Sequence, residues 1–179
     1  MFIHEMNESE CRQALEEARM GRLACARDNQ PYLVPIYFAL DRDDIYAFTT
    51  LGQKIEWMRT NPLVCLEVDE RIAHERWHSV IVFGHYEELP DLPEYQAARV
   101  KALEVLQKHA MWWQPAYIGA SHRQTPHSDT PIFYRIKIHH MTGHRATPDT
   151  GDESTSDKEH TEVKNSGWLR ILRNLGLHD

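Results

Sequence analysis

The alternation of short β-patterned runs with tight turn clusters limits what this chain can become more than any other feature. RLACAR, YLVPIYFAL and DIYAFT follow one another over residues 22–49, separated by DNQP and DRDD. Clusters of Asp, Asn, Gln and Pro reverse a chain within a few residues, which leaves room only for antiparallel neighbours. A parallel pair would need a crossover of a dozen residues or more. LVCLEVD and WHSVIVFGHYEEL read as two further strands, and PIFYRIKIHHMTG as the last. In that last run Ile132, Tyr134, Ile136 and Ile138 share one face, and Phe133, Arg135, Lys137 and His139 the other. Pro35 removes a ladder donor and predicts an edge or a bulge, while Gly84 predicts a bend or a close approach.

Three helices punctuate the strands. NESECRQALEEARMG opens with a capping-box pattern, Asn7 with Glu10, and is expected to stop at Gly21. Cys11, Ala14, Leu15 and Ala18 fall on its buried stripe. KIEWMRTNP is a short helix ended by Pro62, with Ile55 and Met58 expected inside. LPEYQAARVKALEVLQKHA is a longer one, with Val100, Leu103 and Leu106 expected on the buried side. The resulting order is helix, three strands, short helix, two strands, helix, strand. That is an α+β chain, mainly β, and tight turns favour an antiparallel barrel over a parallel sheet.

Residues 1–146 are expected to form one domain. Residues 147–166, within ATPDTGDESTSDKEHTEVKNSG, offer almost nothing apolar to bury and read as a disordered polar linker. Residues 167–179, GWLRILRNLGLHD, place Trp168, Ile171, Leu172 and Leu175 on one side of a short amphipathic helix. About twelve residues make a marginal free helix, so it is expected to fold only when docked.

Composition removes several classes of function. The net charge is −7 with histidine neutral, against the basic face that nucleic-acid binding needs. No apolar run approaches the roughly 18 residues of a membrane span. The N-terminus MFIHEMNESECRQ lacks the basic and apolar regions of an export signal. Cys11, Cys25 and Cys65 are widely spaced with no CxxC, which fits reduced thiols and a cytoplasmic protein.

The stretch FTTLGQKIEWMRTNP, residues 48–62, carries the chemistry. Orphan amides at a helix start bear partial positive charge, and a glycine lets the backbone approach a bulky anion. Thr49 and Thr50 add hydroxyl donors, and Lys54 supplies a point charge. The competing reading is a polar strand-to-helix connection with a solvated lysine. Neither the Walker pattern nor the dinucleotide glycine fingerprint is present.

The succession GRLACARDNQPYLVPIYFAL, IYAFTTLGQKIEWMRTNPLVCLEVD, WHSVIVFGHYEEL resembles the pyridoxamine 5'-phosphate oxidase-like FMN-binding split barrels. Among these it looks most like the nitroimidazole-resistance reductases. The Thr-Thr-x-Gly-x-Lys turn followed by Asn-Pro-x-Val-Cys is the most specific part. Ser79-Val80 on a strand leading to Gly84 adds to it. The resemblance spans residues 10–146 and implies a six-stranded antiparallel split β-barrel of Greek-key type with flanking helices. It also implies a homodimer with FMN at the subunit interface.

By the same resemblance Thr49, Thr50, Gly52, Gln53 and Lys54 hold the FMN phosphate. Leu33, Val34, Pro35 and Ile36 run along the isoalloxazine edge. Ser79 falls where the oxidases place a glutamine against the ring, Trp77 walls the site, and Trp112 and Trp113 close it from the other subunit. Two departures argue against vitamin B6 oxidation. Gln53 stands where the oxidases carry the arginine of an Arg-Lys pair, and their arginine-rich C-terminal segment has no counterpart.

The expectation is therefore an FMN-dependent oxidoreductase acting on a small molecule, with NAD(P)H as reductant. No residue is identified as an acid or base toward substrate, which fits hydride or electron transfer. The alternatives are a non-catalytic flavin carrier or sensor, or a haem-binding split barrel using His74, His78 or His85. A deazaflavin in place of FMN is also open. Twelve histidines invite a metal reading, but His139 and His140 are adjacent on a strand and face opposite sides, so no metal is expected. Cys25 and Cys65 read as buried filler, and Tyr32, Tyr37 and Trp57 as core or interface aromatics rather than ring partners.

Overall fold

A computed structural model of the chain describes residues 1–108 and 131–149. Trp112, Trp113, residues 150–166 of the expected linker and the terminal 167–179 lie outside the described residues. The chain divides into two units, 1–148 and 149–179, and every element below belongs to the first.

Asn7 caps α1 (Glu8–Glu17) as its sequence requires, accepting from the Glu10 amide while the Glu10 carboxylate takes the Asn7 amide. Cys11, Ala14 and Leu15 are buried beneath the helix. The helix ends before Gly21, contrary to expectation. Gly21 lies inside β2 (Met20–Arg27), where an added Cβ would stand 2.9 Å from both the Glu67 carbonyl oxygen and Leu66 Cδ1. It is glycine for close packing, not for stopping a helix.

From β2 the chain turns through Asp28 and Asn29, both at positive φ, into β3 (Gln30–Tyr37). Two left-handed residues between paired strands match the right-handed strand twist, which explains the Asp-Asn pair there. Among the described residues β3 pairs only with β2, so Pro35 sits on an edge strand. The run YLVPIYFAL breaks at Phe38, 1% exposed, whose amide bonds back to the Arg19 carbonyl. β4 (Ala39–Asp41) then pairs with β5 (Asp44–Thr49) across a turn that has Arg42 at positive φ.

The remaining strands are β6 (Leu63–Ala73), β7 (Arg76–Glu88) and β8 (Ile132–Thr147). They join one antiparallel sheet of order β3-β2-β6-β7-β8-β5-β4. A strand with no clear sequence signal, β1 (Phe2–Glu5), pairs with the far end of β8. Phe2 and Ile3 remain exposed, so backbone pairing rather than burial holds that strand. The fold is the expected mainly antiparallel α+β split barrel, and the two ends of its sheet are not hydrogen-bonded to each other.

Leu23, Ile45, Leu66, Val80, Val82, Tyr134 and Ile136 fill the barrel, with Ile55 and Met58 of α2 (Gln53–Thr60). Trp57 packs there too, tilted against Tyr32, a half-buried ring that rests against the core. Arg59, in the last turn of α2, makes a two-pronged contact to Glu88 at 2.8 Å and ties the helix to β7. A second core lies between α3 (Gln96–Gln107) and the sheet, from Ala102, Val105, Leu106, Tyr46, Leu89 and Phe133. The expected stripe of α3 is thus rotated. Leu106 is buried as expected, but Val100 and Leu103 face out while Ala102 and Val105 are turned to the sheet.

The β7–β8 register shifts between Phe83 and Gly84. A Cβ on Gly84 would lie 2.5 Å from Ile136 Cγ2 and 2.7 Å from the Lys137 carbonyl oxygen. A paired strand backbone cannot retreat as a side-chain end can. Gly84→Ala is therefore expected to lower folding stability by about 1–3 kcal/mol, seen as a lower denaturant midpoint at unchanged slope. An unchanged midpoint would contradict the close approach.

Candidate functional site

The turn after β5 and the start of α2 meet the edge strand β3 in a cleft of about 220 Å³. Pro35 and Ile36 form one wall, Phe48 and Tyr37 add aromatic surface, and Thr49, Thr50 and Lys54 supply the polar end. Five residues named from the sequence thus converge: Pro35, Ile36, Thr49, Thr50 and Lys54. Tyr37, read as a core or interface aromatic, lines the cleft as well. Phe48 was missed, although it directly precedes the two threonines.

Lys54 governs the electrostatics. Its Nζ donates to Thr49 Oγ1 at 2.6 Å. Among the described residues no carboxylate lies within 4 Å of it. Burial lowers its pKa from the ordinary lysine value, and nearby Cys25 opposes that only as the lesser influence. A half-buried ammonium with no acid partner is costly, and a bound anion would relieve the cost.

The helix start adds to the field. The Ile55 and Glu56 amides both bond to the Gly52 carbonyl, so those of Gln53 and Lys54 precede the first helical donor and have no acceptor within the helix. Gly52 itself has extended backbone, and an added Cβ there would meet nothing within 4 Å. Neither conformation nor protein packing demands glycine at this position, which leaves open space in front of the turn. Gln53 is exposed at the first helical position and does not line the cleft. Leu33 is 59% exposed on β3, while Val34 packs against the core.

Trp77 and Ser79 stand elsewhere. They line a separate groove of about 440 Å³ with His74, His78, Asp69 and Glu70 at the β6–β7 hairpin. Thr49 pairs with Ile132 and Trp77 with Ala146, fourteen residues apart along β8. At about 3.3 Å per residue that is roughly 45 Å of strand contour. Within one protomer the two groups line separate cavities. Of the haem candidates, His74 and His78 share this groove and His85 lies on β7 away from it.

Fold and cleft together define a split barrel with a lysine-bearing cleft between a strand edge and a helix start. The family model for pyridoxamine 5'-phosphate oxidase matches residues 7–145, and the chain belongs to that family. An uncharacterized protein of Rhizobium meliloti is 37% identical over 146 residues, covering 82% of this chain and 97% of that one. The crystal structure of an FAD-binding protein of Mesorhizobium loti is 43% identical with a TM-score of 0.68. It covers 82% of this chain and 100% of its own. A Bacteroides thetaiotaomicron structure ascribed to 5-nitroimidazole antibiotic resistance has a TM-score of 0.61 over 81% of this chain and 89% of its own. At 18% identity that likeness shows the fold alone. No helix among the described residues is long and apolar enough to cross a membrane.

Proposed function

We propose that this chain is an FMN-binding flavoprotein, and that it acts as a flavin-dependent oxidoreductase on a small molecule. The observation that carries the reading is the uncompensated Lys54 ammonium, set beside two threonines and a helix start. Family membership and the FAD-binding relative support a flavin as the ligand. FMN is preferred over FAD because Lys54 is the one charged residue among the described residues that line the cleft, suited to a single terminal phosphate.

The residues present fit such a ligand. Lys54, Thr49 and Thr50 would hold the phosphate, with the Gln53 and Lys54 amides behind it and open space at Gly52. The exposed edge of β3 at Leu33 and Pro35 offers backbone along which a flat ring can lie. When bound, a flavin supplies hydride or electron transfer, and the protein's part is to bind, orient and shield it. The separation of Trp77 and Ser79 from Lys54 favours a homodimer in which a second copy brings that groove to the ring.

A titration with FMN, FAD and riboflavin tests the reading. FMN is expected to bind at least about tenfold more tightly than riboflavin, because a charge-assisted phosphate contact contributes about 1.5–3 kcal/mol. Equal affinities would remove phosphate recognition from the cleft. Mixing the FMN-loaded protein with NADH or NADPH in stopped flow then separates an oxidoreductase, whose flavin bleaches, from a carrier, whose flavin does not.

A further inference from the structure

His139 is the extra residue of a β-bulge. β8 pairs His140 with Phe83 and Ile138 with Gly84, leaving His139 without a residue opposite. In an unbroken strand His139 and His140 would face opposite sides. The bulge turns both to one side, as their neighbours on β7 make plain. Phe83 and His85 are two residues apart and so share the outer face. The His140 ring stacks on Phe83 at 4.5 Å and 10°, and the His139 ring lies 6.2 Å from that of His85 at 38°. Strand alternation argued against this arrangement, and the bulge reverses it.

We propose that His85 and His139 form a binding site for a divalent transition ion such as Ni²⁺, Cu²⁺ or Zn²⁺, with water in the remaining positions. Imidazole suits these ions, with metal–nitrogen bonds near 2.0–2.1 Å. Two imidazoles on adjacent positions of one ion have ring centroids roughly 5 Å apart at that bond length. The rings must therefore close by about 1 Å, which a half-buried His85 and an exposed His139 can do by side-chain rotation. The site is a pair: among the described residues no group of three His, Cys, Asp or Glu is placed to hold an ion. His140 is left out because its ring lies flat against Phe83.

The surrounding charges do not block the site. Lys137, opposite His85, puts its Nζ 2.8 Å from Glu87, and Arg135 is held by Glu87 and Asp44. Both cations are thus neutralised along the strands. On the other side, β6 presents Leu63, which is apolar. None of these residues lines the cleft around Lys54.

Calorimetric titration of the untagged full-length chain with NiCl₂ tests the site against His85→Asn, His139→Asn and His144→Asn. Because the chain carries twelve histidines, the reading is the difference between variants. The tightest Ni²⁺ step is expected to be lost in the first two and kept in the third. Retention in either of the first two, or loss in the third, overturns the assignment. A readout that needs no variant is the electron paramagnetic resonance of the wild type with one equivalent of Cu²⁺. Hyperfine structure from two nitrogens is expected, and a signal with one or none overturns the pair.

Discussion

Lys54→Ala is expected to weaken FMN binding about 10- to 150-fold, the equivalent of about 1.5–3 kcal/mol. Among the described residues that line the cleft, no other cation can take over the phosphate. Lys54→Met separates charge from packing, since it keeps most of the apolar stem. It should bind FMN as poorly as the alanine variant. It should also raise the melting temperature of the flavin-free protein, because it removes a half-buried charge that no acid pairs. The pH dependence has a definite sign. Burial depresses the Lys54 pKa in the free protein, and a bound phosphate raises it again, so binding takes up protons between the two values. FMN affinity should fall as pH rises through that window, and the alanine variant should lose this part of the profile. Unchanged affinity in a flavin-fluorescence titration would take Lys54 out of the site.

FMN binding and dimer formation are expected to be one linked event. If Trp77 and Ser79 of the partner subunit cover the ring held near Lys54, each site needs two chains. FMN at 100 times its dissociation constant would then stabilise the dimer by about 2.7 kcal/mol per site. Dilution should release flavin and subunits together, and excess FMN should move the monomer–dimer midpoint to lower protein concentration in analytical ultracentrifugation. Mixing two inactive variants gives the sharper result. Lys54→Ala and Trp77→Ala subunits, unfolded and refolded together, form a mixed dimer with one doubly altered site and one intact site. Flavin should reappear in the mixture at up to one per mixed dimer. A monomer with stoichiometric flavin, or a mixture no better than its parents, would sink the shared site.

The six strand runs from RLACAR to PIFYRIKIHHMTG, the Asn7 capping box, the Asp28-Asn29 turn and the buried Ile55 and Met58 were legible in the sequence. Each depends on a few neighbouring residues, and local backbone preferences and side-chain period decide it. The Thr49–Lys54 turn was legible for the same reason: its donors are adjacent in the chain. Tertiary structure decided what depends on residues far apart. Gly21 looked like a helix stop until Leu66 and Glu67 closed over it, and α3 buries Ala102 and Val105 beside the expected Leu106 while Val100 and Leu103 face out. The isolation of Trp77 from Lys54 follows from registers on β8, and no local pattern encodes a register between strands so distant in sequence. The bulge at His139 is of the same kind. One residue without a partner turned two neighbouring histidines onto one face, because side-chain alternation holds only while pairing is unbroken.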